Sequence, residues 1–297
     1  MCIRDWAQAL SIACPTVIFD FNRLAEEKLL FKYVDRFTNP ISQIYDNFDV
    51  TGTSNSNRST HIVNGDIEAG AQFINIAFTN PYWDGDVGES TLLVIHSIDV
   101  RNEAGSIVSF DGTDLASIEG FIPPRANDGN VSGANYVDDE GVETGYMMWA
   151  GSMDIPISVD LAGSYALIVD ASRVSAPARD VKMLLSVNNP SSAFTLGQQS
   201  IRQELQYLHS ILLGEFHEVE SEEINQAYDL LTAIWQDRKD AGLQRTAFDP
   251  NSETCDIPID EWWLQDWEDE FSDPVYMQGT WISMLIYFLT DYKYLHE

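Results

Sequence analysis

The stretch TLLVIHSIDV, residues 91–100, decides the fold class of this chain. It is rich in β-branched and other aliphatic residues, and polar residues interrupt it at intervals. Gly88 precedes it and Asn102 follows it, and such residues typically bound strands. We therefore predict a β-strand here, and we work outward from it in both directions.

Further segments with a two-residue period lie around this strand, between Thr60 and about Asn189. They are residues 73–78, 106–110, 155–159, 165–169 and 181–187. Short strands with turn-rich connections predict an antiparallel β-sandwich, jelly-roll-like in its layout. The polar stretch Pro123–Gly145 is predicted to be an elaborate loop within it.

After Pro190 the hydrophobic period returns to 3.6, which predicts a helical region. The predicted helices are Gln198–Phe216, Glu222–Lys239 and Pro274–Leu295. Gly214 is a suitable stop for the first helix, and Ser221 is a suitable N-cap for the second. The last helix is apolar nearly all round between Trp281 and Leu289, so it should be the buried centre of this region.

The N-terminal region also contains helical patterns, and Phe19–Phe37 is predicted to be an amphipathic helix that the Asn39-Pro40 step ends. The chain is therefore divided into residues 1–48, an N-terminal helical segment, 49–190, a β-sandwich, and 191–297, an α-helical domain. Charge supports a division, because residues 197–297 carry a net charge of −16 and the preceding 196 residues carry −15.

The 297-residue chain has 47 acidic residues against 16 Lys and Arg, a formal net charge of −31. Such a surface repels phosphate backbones and anionic lipid, which excludes nucleic-acid binding and membrane docking as expected functions. Two interpretations remain. The excess charge gathers cations or provides tolerance of salt, or it forms a solvated surface with no dedicated partner.

Three cysteines, Cys2, Cys14 and Cys255, show neither a CxxC pair nor metal-type spacing, and the pairing of any two of them stays open. The N-terminus MCIRDWAQALSIAC is predicted to be an ordinary helix rather than a signal peptide. The longest apolar stretch, Trp281–Leu289, is far shorter than the ~20 residues that cross a bilayer, so no membrane insertion is expected.

The acidic loop FTNPYWDGDVGE, residues 78–89, is the sharpest candidate site. Four side chains in it carry oxygen ligands of the kind that calcium prefers. They are Asn80, Asp84, Asp86 and Glu89. Gly85 and Gly88 let the backbone fold around a cation. The loop therefore predicts a Ca²⁺ site, and the alternative is a solvated turn.

Aromatic residues near this loop and after the next one offer ring faces on which a sugar could stack. They are Tyr82, Trp83, Tyr146 and Trp149. The alternative is that these rings fill the core of the sandwich.

The five histidines show no HExxH or similar metal pattern, and each one alone is more often structural than catalytic. They are His61, His96, His209, His217 and His296. No Gly-rich phosphate loop, GxSxG motif or CxxCH haem motif occurs. Neither nucleotide nor haem is therefore expected as a cofactor.

The segment IEAGAQFINIAFTNPYWDGDVGESTLLVIHSIDV, residues 67–100, resembles the calcium-dependent xylan-binding type of carbohydrate-binding module. Phe78, Asn80, Tyr82 and Asp84 match its loop, whereas Pro81 stands where an aspartate is usual and Ser90-Thr91-Leu92 replaces Asp-Arg-Asn. Residues 159–188 look like the other half of such a module. This resemblance implies a diverged carbohydrate-binding-like sandwich for residues 49–190.

The C-terminal third is similar to the closing helical region of large secreted bacterial surface proteins of unknown function. This resemblance implies an extracellular or periplasmic location, and it implies that the chain is one part of a longer protein with other domains.

These observations lead to three hypotheses on function. The first is a non-catalytic extracellular or periplasmic protein whose sandwich binds calcium and a polysaccharide. The second is a polysaccharide-active enzyme or enzyme subunit whose site lies in the helical domain, at carboxylates such as Glu261, Asp266, Glu268 and Asp269. The third is a purely structural, salt-adapted surface module.

Overall fold

The computed structural model describes residues 12–14, 16–18, 20–21, 23, 27–81, 83–84, 89–126, 129–175, 180–192, 195–243 and 273–290. The chain divides into two compact units. One unit is residues 41–196, and the other joins residues 1–40 to residues 197–297. The unit boundaries thus differ from the predicted ones at 48/49 and 190/191, and the first 40 residues belong with the helical unit.

The first unit contains two antiparallel sheets. The strands of the smaller sheet are β1 (Ser42–Asp49), β3 (Gly70–Phe78), β9 (Ser152–Val159) and β11 (Lys182–Asn188). In the described residues this sheet has four strands in the order β1-β11-β3-β9. β11, the last strand of the unit, pairs with β1 on one side and with β3 on the other, so it lies in the interior of the smaller sheet.

The larger sheet is built around the strand from which the sequence analysis started. Its strands are β2 (Ser59–Ile67), β4 (Trp83–Asp84), β5 (Glu89–Asn102), β6 (Gly105–Asp111), β7 (Gly133–Val137), β8 (Glu143–Met148) and β10 (Gly163–Ser175). Its main path runs β2-β10-β5-β8-β7, and β4 and β6 also pair with β5. A short 3-10 helix, Gly112–Ser117, follows β6.

Residues from both sheets form one hydrophobic core. Ile74 and Ile76 of β3 and Leu93 and Ile95 of β5 are fully buried in it. Burial of a side chain of this size contributes about 1.5–3 kcal/mol. The antiparallel β-sandwich that the sequence predicts is thus confirmed.

The predicted strand segments coincide with observed strands, apart from Val181, which lies one residue before β11, but the predicted loop Pro123–Gly145 is wrong in part. It contains β7 and the start of β8, which pair as a hairpin. Asp138 ends β7 by accepting the backbone N–H groups of Glu140 and Val142 at 3.0 Å each. The polar composition of this hairpin hides its strands from a hydrophobic pattern.

The C-terminal region is helical, as predicted. Its helices are α1 (Leu196–Leu212), α2 (Glu222–Asp240) and α3 (Met277–Thr290). Ser221 caps α2 by accepting the N–H of Ile224 at 3.3 Å. Twelve of the fourteen residues of α3 are buried, which confirms this helix as the centre of its unit.

The predicted helix Phe19–Phe37 is wrong from Lys28 onward. Residues 28–41 are not helical, and several of their backbone N–H groups bond to side-chain acceptors instead. Asp20 is buried and accepts the N–H groups of Leu29, Leu30 and Phe31 at 2.7–2.9 Å. This carboxylate replaces the helical hydrogen bonds that the apolar pattern predicts.

A second carboxylate, Glu204 of α1, fastens the same segment. It is fully buried and accepts the N–H of Tyr33 at 2.7 Å. Burial raises the pKa of Glu204 to about 7, although the N–H groups of Tyr33 and Lys32 and the charge of Lys28 act in the opposite direction. The contact between α1 and residues 28–37 therefore contains a carboxyl group that titrates near neutral pH.

Asp273 lies at the start of α3 and is almost fully buried. It accepts the N–H groups of Gln278 and Gly279 at 3.0 and 2.9 Å, and the Arg238 guanidinium of α2 lies 3.5 Å away. A Cβ at Gly279 would collide with that guanidinium, so a larger residue there would displace Arg238 from its place beside Asp273. One carboxylate thus caps α3 and joins it to α2.

No helix in the described part of the chain is long and apolar enough to cross a membrane. Cys14 is buried and is engaged in a disulfide bond, whose partner lies outside the described residues.

Candidate metal centre

The C-terminal end of α1 and the turn after it bring three potential metal ligands together. His209 lies in the last turn of the helix. Gly214 then adopts a left-handed φ of 67°, and the N–H groups of Leu213 and Glu215 both bond to the carbonyl oxygen of His209. This reversal places Glu215 and His217 beside the imidazole of His209.

The ligand atoms of these residues are close in space. Glu215 Oε2 lies 3.5 Å from His209 Nδ1 and 3.1 Å from His217 Nε2. Across the described residues, His209, Glu215 and His217 form the one group of three such side chains whose ligand atoms all lie within 4.8 Å of one another. His209 is mostly buried and the other two are half-buried, so the group is shielded but reachable.

These separations fit a small tetrahedral ion. Ligands about 2.0–2.1 Å from zinc lie about 3.3 Å from one another, and the measured 3.1 and 3.5 Å fall on either side of this value. Two imidazoles and one carboxylate are a ligand set that zinc uses where it keeps a fourth, open position. The centre can therefore hold a zinc-type ion and leave it one exchangeable ligand.

The surroundings orient the ligands. The second ring nitrogen of His217, Nδ1, lies 3.6 Å from Glu223 Oε2, close enough for a carboxylate–histidine pair to form with a small side-chain movement. Gln206 holds the same residue by donating to its carbonyl oxygen at 2.7 Å. The ring of His209 packs edge-on against Phe288 of α3 at 5.1 Å between centroids.

A cavity of about 340 Å³ lies beside the cluster, within the helical unit. His217 forms part of its wall. The other lining residues are Tyr33, Gln203, Gln206, Tyr207, Ser210, Phe216 and Glu218. A metal ion on His217 would therefore border this cavity.

The predicted calcium ligands are described only in part. Asn80 is buried, and it connects the loop to β11 by donating to the carbonyl of Asp180 at 2.9 Å and accepting the N–H of Lys182 at 2.6 Å. Antiparallel backbone pairing places Asp84 opposite Glu89. The side chains of Asp84 and Glu89 and the whole of Asp86 lie outside the described residues.

The predicted stacking rings differ in their exposure. Tyr146 is 2% exposed and packs edge-on against Phe121 in the core, which is the alternative interpretation of its ring. Trp149 is 38% exposed. Tyr82 and the side chain of Trp83 lie outside the described residues, as do the carboxylates Glu261, Asp266, Glu268 and Asp269.

Sequence reasoning missed the pairing of His209 with His217. His96, by contrast, is the structural residue that was expected, since its ring nitrogens lie 2.6 Å from the Thr144 carbonyl and 2.7 Å from the Ser172 hydroxyl. The signal for the cluster was the spacing H-x5-E-x-H across Gly214. It becomes informative only when the glycine is recognised as a reversal that folds residues 215–217 back onto the helix.

Comparison of the chain with protein-family models and with curated proteins gives no match.

Proposed function

We propose that this protein binds a zinc-type divalent metal ion in its helical unit through His209, Glu215 and His217. The observation that carries the proposal is the 3.1 and 3.5 Å spacing of the two imidazoles around the Glu215 carboxylate. The ligand types favour zinc over calcium, because imidazole suits zinc, copper and nickel, whereas calcium takes oxygen ligands.

The wild-type chain, freed of metal by a chelator, is expected to bind one zinc ion per molecule in calorimetric titration. Replacement of Glu223, which only orients His217, should weaken zinc binding about 10–100-fold in Glu223→Gln. Loss of a direct ligand in His217→Ala should exceed that effect and cost at least about 100-fold.

The matched controls are His61→Ala, which removes a histidine of the sandwich, and Glu220→Gln, which removes an exposed carboxylate near the site. Both should bind zinc as the wild type does. If zinc gives no heat, or if His217→Ala binds it normally, the three residues are an ion-pair network rather than a metal centre.

We propose further that the protein works outside the cytoplasm. The disulfide at Cys14 supports this location, since disulfides persist in oxidising compartments. The resemblance to secreted surface proteins points the same way, and it suggests additional domains beside this chain as partners.

A second candidate function, glycan binding by the sandwich, is supported by Trp149. Its ring is 38% exposed, and its backbone N–H bonds to the carbonyl of Ser132 at 3.0 Å, so the ring projects from a fixed segment. Calcium on the Asn80–Glu89 loop belongs to the same proposal, with Asp84, Asp86 and Glu89 as its remaining ligands.

In a pull-down on insoluble xylan and other glycans, the wild-type chain is expected to be retained, and Trp149→Ala should lose about 10-fold in retention because an exposed stacking ring is removed. Calcium titration is expected to give heat. Phe216→Ala is the matched control, since it removes an exposed ring from the other unit. If the chain is not retained on any glycan and calcium gives no heat, the sandwich is a structural, salt-adapted module.

A further inference from the structure

The cavity in the helical unit presents aromatic rings to solvent. Its volume of about 340 Å³ lies at the lower end of the range for ligand pockets, about 300–1,000 Å³. Tyr33, Tyr207 and Phe216 contribute rings to its wall. Phe216 is 89% exposed and Tyr33 is 50% exposed, whereas side chains of this kind are usually mostly covered. Two uncovered rings at one cavity are typical of a surface that contacts a ligand.

Tyr33 and Tyr207 form a fixed corner of this cavity. Their ring planes are inclined at 70°, with 6.1 Å between the centroids. The backbone N–H of Tyr33 donates to Glu204 at 2.7 Å, and the hydroxyl of Tyr207 donates to the carbonyl oxygen of Leu29 at 3.3 Å. Both residues are therefore held in place before a ligand arrives, which lowers the cost of ordering the site on binding.

The charges around the cavity favour a cation. Among the lining residues that the structure describes, Glu218 is the only one with a carboxylate, and none is Lys or Arg. Two further carboxylates lie behind the wall, since Glu215 Oε2 and Glu223 Oε2 are 3.1 and 3.6 Å from the ring nitrogens of His217. These two would balance a divalent ion on His217 and leave Glu218 uncompensated. An anion is therefore opposed here, in a protein whose net charge is already −31.

The position of Lys32 indicates that the aromatic wall attracts positive charge. Its ammonium group lies over the Tyr207 ring, 5.0 Å from the centroid, although this exposed side chain does not line the cavity. Ring faces attract cations electrostatically, and several rings together are the usual means by which proteins recognise methylated ammonium groups. A primary ammonium group is strongly hydrated and needs several acceptors, whereas the carboxylate of Glu218 is exposed. The lining thus suits a methylated ammonium group better than a primary amine.

We infer that the cavity binds a small organic cation with a methylated ammonium group, which lies against the rings of Tyr33, Tyr207 and Phe216 and is balanced by the carboxylate of Glu218. The amide of Gln203 and the hydroxyl of Ser210 line the same cavity and offer hydrogen-bonding atoms to a polar substituent of the ligand. The proposed metal centre is not needed for this binding.

Choline and its uncharged isostere 3,3-dimethylbutan-1-ol test this inference, because the two molecules have nearly the same shape and differ in charge. Binding is measured by NMR titration of the metal-free full-length chain in low-salt buffer. Choline is expected to bind at least about 5-fold more tightly than the alcohol, as for a partly desolvated cation on ring faces. Benzoate, which carries the opposite charge, is expected not to bind.

Four substitutions locate the choline. Phe216→Ala removes an exposed ring and Glu218→Gln removes the charge, and each should weaken choline binding about 3–10-fold. Glu220→Gln is the matched control, since it removes an exposed carboxylate that does not line the cavity, and it should bind choline as the wild type does. Lys32→Gln removes the competing ammonium group from the Tyr207 ring and should strengthen choline binding about 2–5-fold, a gain that damage to the fold does not produce. Circular dichroism checks that all four variants are folded.

Several results would overturn the inference. Equal affinity for choline and the alcohol, or tighter binding of benzoate, would show that the cavity does not select a cation. Choline binding that Phe216→Ala and Glu218→Gln both leave unchanged would place the ligand elsewhere, and absence of choline binding at millimolar concentrations would remove the site. Each of these results leaves the metal centre standing, because the chain is free of metal throughout.

Discussion

Asp273→Ala is expected to lower the free energy of unfolding of the helical unit by about 3–5 kcal/mol, the usual cost of breaking a buried ion pair from one side. The substitution leaves the Arg238 guanidinium without the carboxylate that faces it at 3.5 Å. It also leaves two N–H groups at the start of α3, those of Gln278 and Gly279, without their acceptor. Both losses occur in the interior, where water cannot compensate them.

Hydrogen exchange of peptides from α3, combined with urea unfolding, measures this effect locally. Asp273→Asn should fall between the wild type and Asp273→Ala, because the amide oxygen can still accept from the helix but carries no charge. Asp229→Ala, at an exposed position of α2, should change stability by less than about 0.5 kcal/mol. A loss below about 1 kcal/mol in Asp273→Ala would contradict the role assigned to the buried carboxylate.

Glu204→Gln is expected to remove a pH dependence of about 3 kcal/mol from the stability of the protein. The folded-state pKa of Glu204 is raised to about 7 from an ordinary value of 4.5. Below pH 4.5 the carboxyl is protonated in both the folded and the unfolded state, so it contributes no pH dependence. Between pH 4.5 and 7 the folded state holds a proton that the unfolded state has lost, so stability falls as pH rises.

Above pH 7 the full cost of ionising the buried group is present, and the difference of the two pKa values corresponds to about 3 kcal/mol. Glutamine is neutral throughout and keeps an oxygen for the N–H of Tyr33. The measurement is the stability difference between variant and wild type at pH 4.5 and at pH 8. Between these two pH values the difference should change by about 3 kcal/mol in favour of the variant. Any pH-independent cost of the new amide group is the same at both pH values and does not affect this change.

Glu220→Gln serves as the control for this titration, since Glu220 is exposed and its replacement should give a difference that hardly changes with pH. A pH-independent difference in Glu204→Gln itself would show that the carboxyl is not kept neutral by burial.

The sandwich could be predicted from the sequence because its strands carry the signal on their own residues. Ile74 and Ile76 alternate with polar or smaller residues, and the same holds for Leu93 and Ile95. The N-terminal segment could not be predicted in this way. Its apolar period is helical, but Asp20 accepts its N–H groups from nine to eleven residues away, and this competition does not appear in a hydrophobic pattern.

The candidate site illustrates the same limit. His209 and His217 are eight positions apart, and on a continuous helix they would lie two turns from each other. Gly214 breaks the helix between them and returns the chain, so their proximity depends on one backbone angle rather than on any motif. The acidic loop at residues 78–89, by contrast, could be recognised as a candidate site because its oxygen ligands are close to one another along the chain.

Because the helical unit is discontinuous in the chain, its two parts cannot fold together until late in synthesis. The ring of Phe31 packs at a tilt against Trp281, with 5.3 Å between ring centroids, although 250 positions separate the two residues in the chain. At ribosomal rates of about 5–20 residues per second, residues 1–40 wait roughly 8–30 s before residue 197 is even made. The sandwich can fold in that interval, whereas Phe31, Val34 and Phe37 remain without their final neighbours. We therefore expect aggregation to be a greater risk during synthesis, while these apolar side chains are uncovered, than in the folded protein.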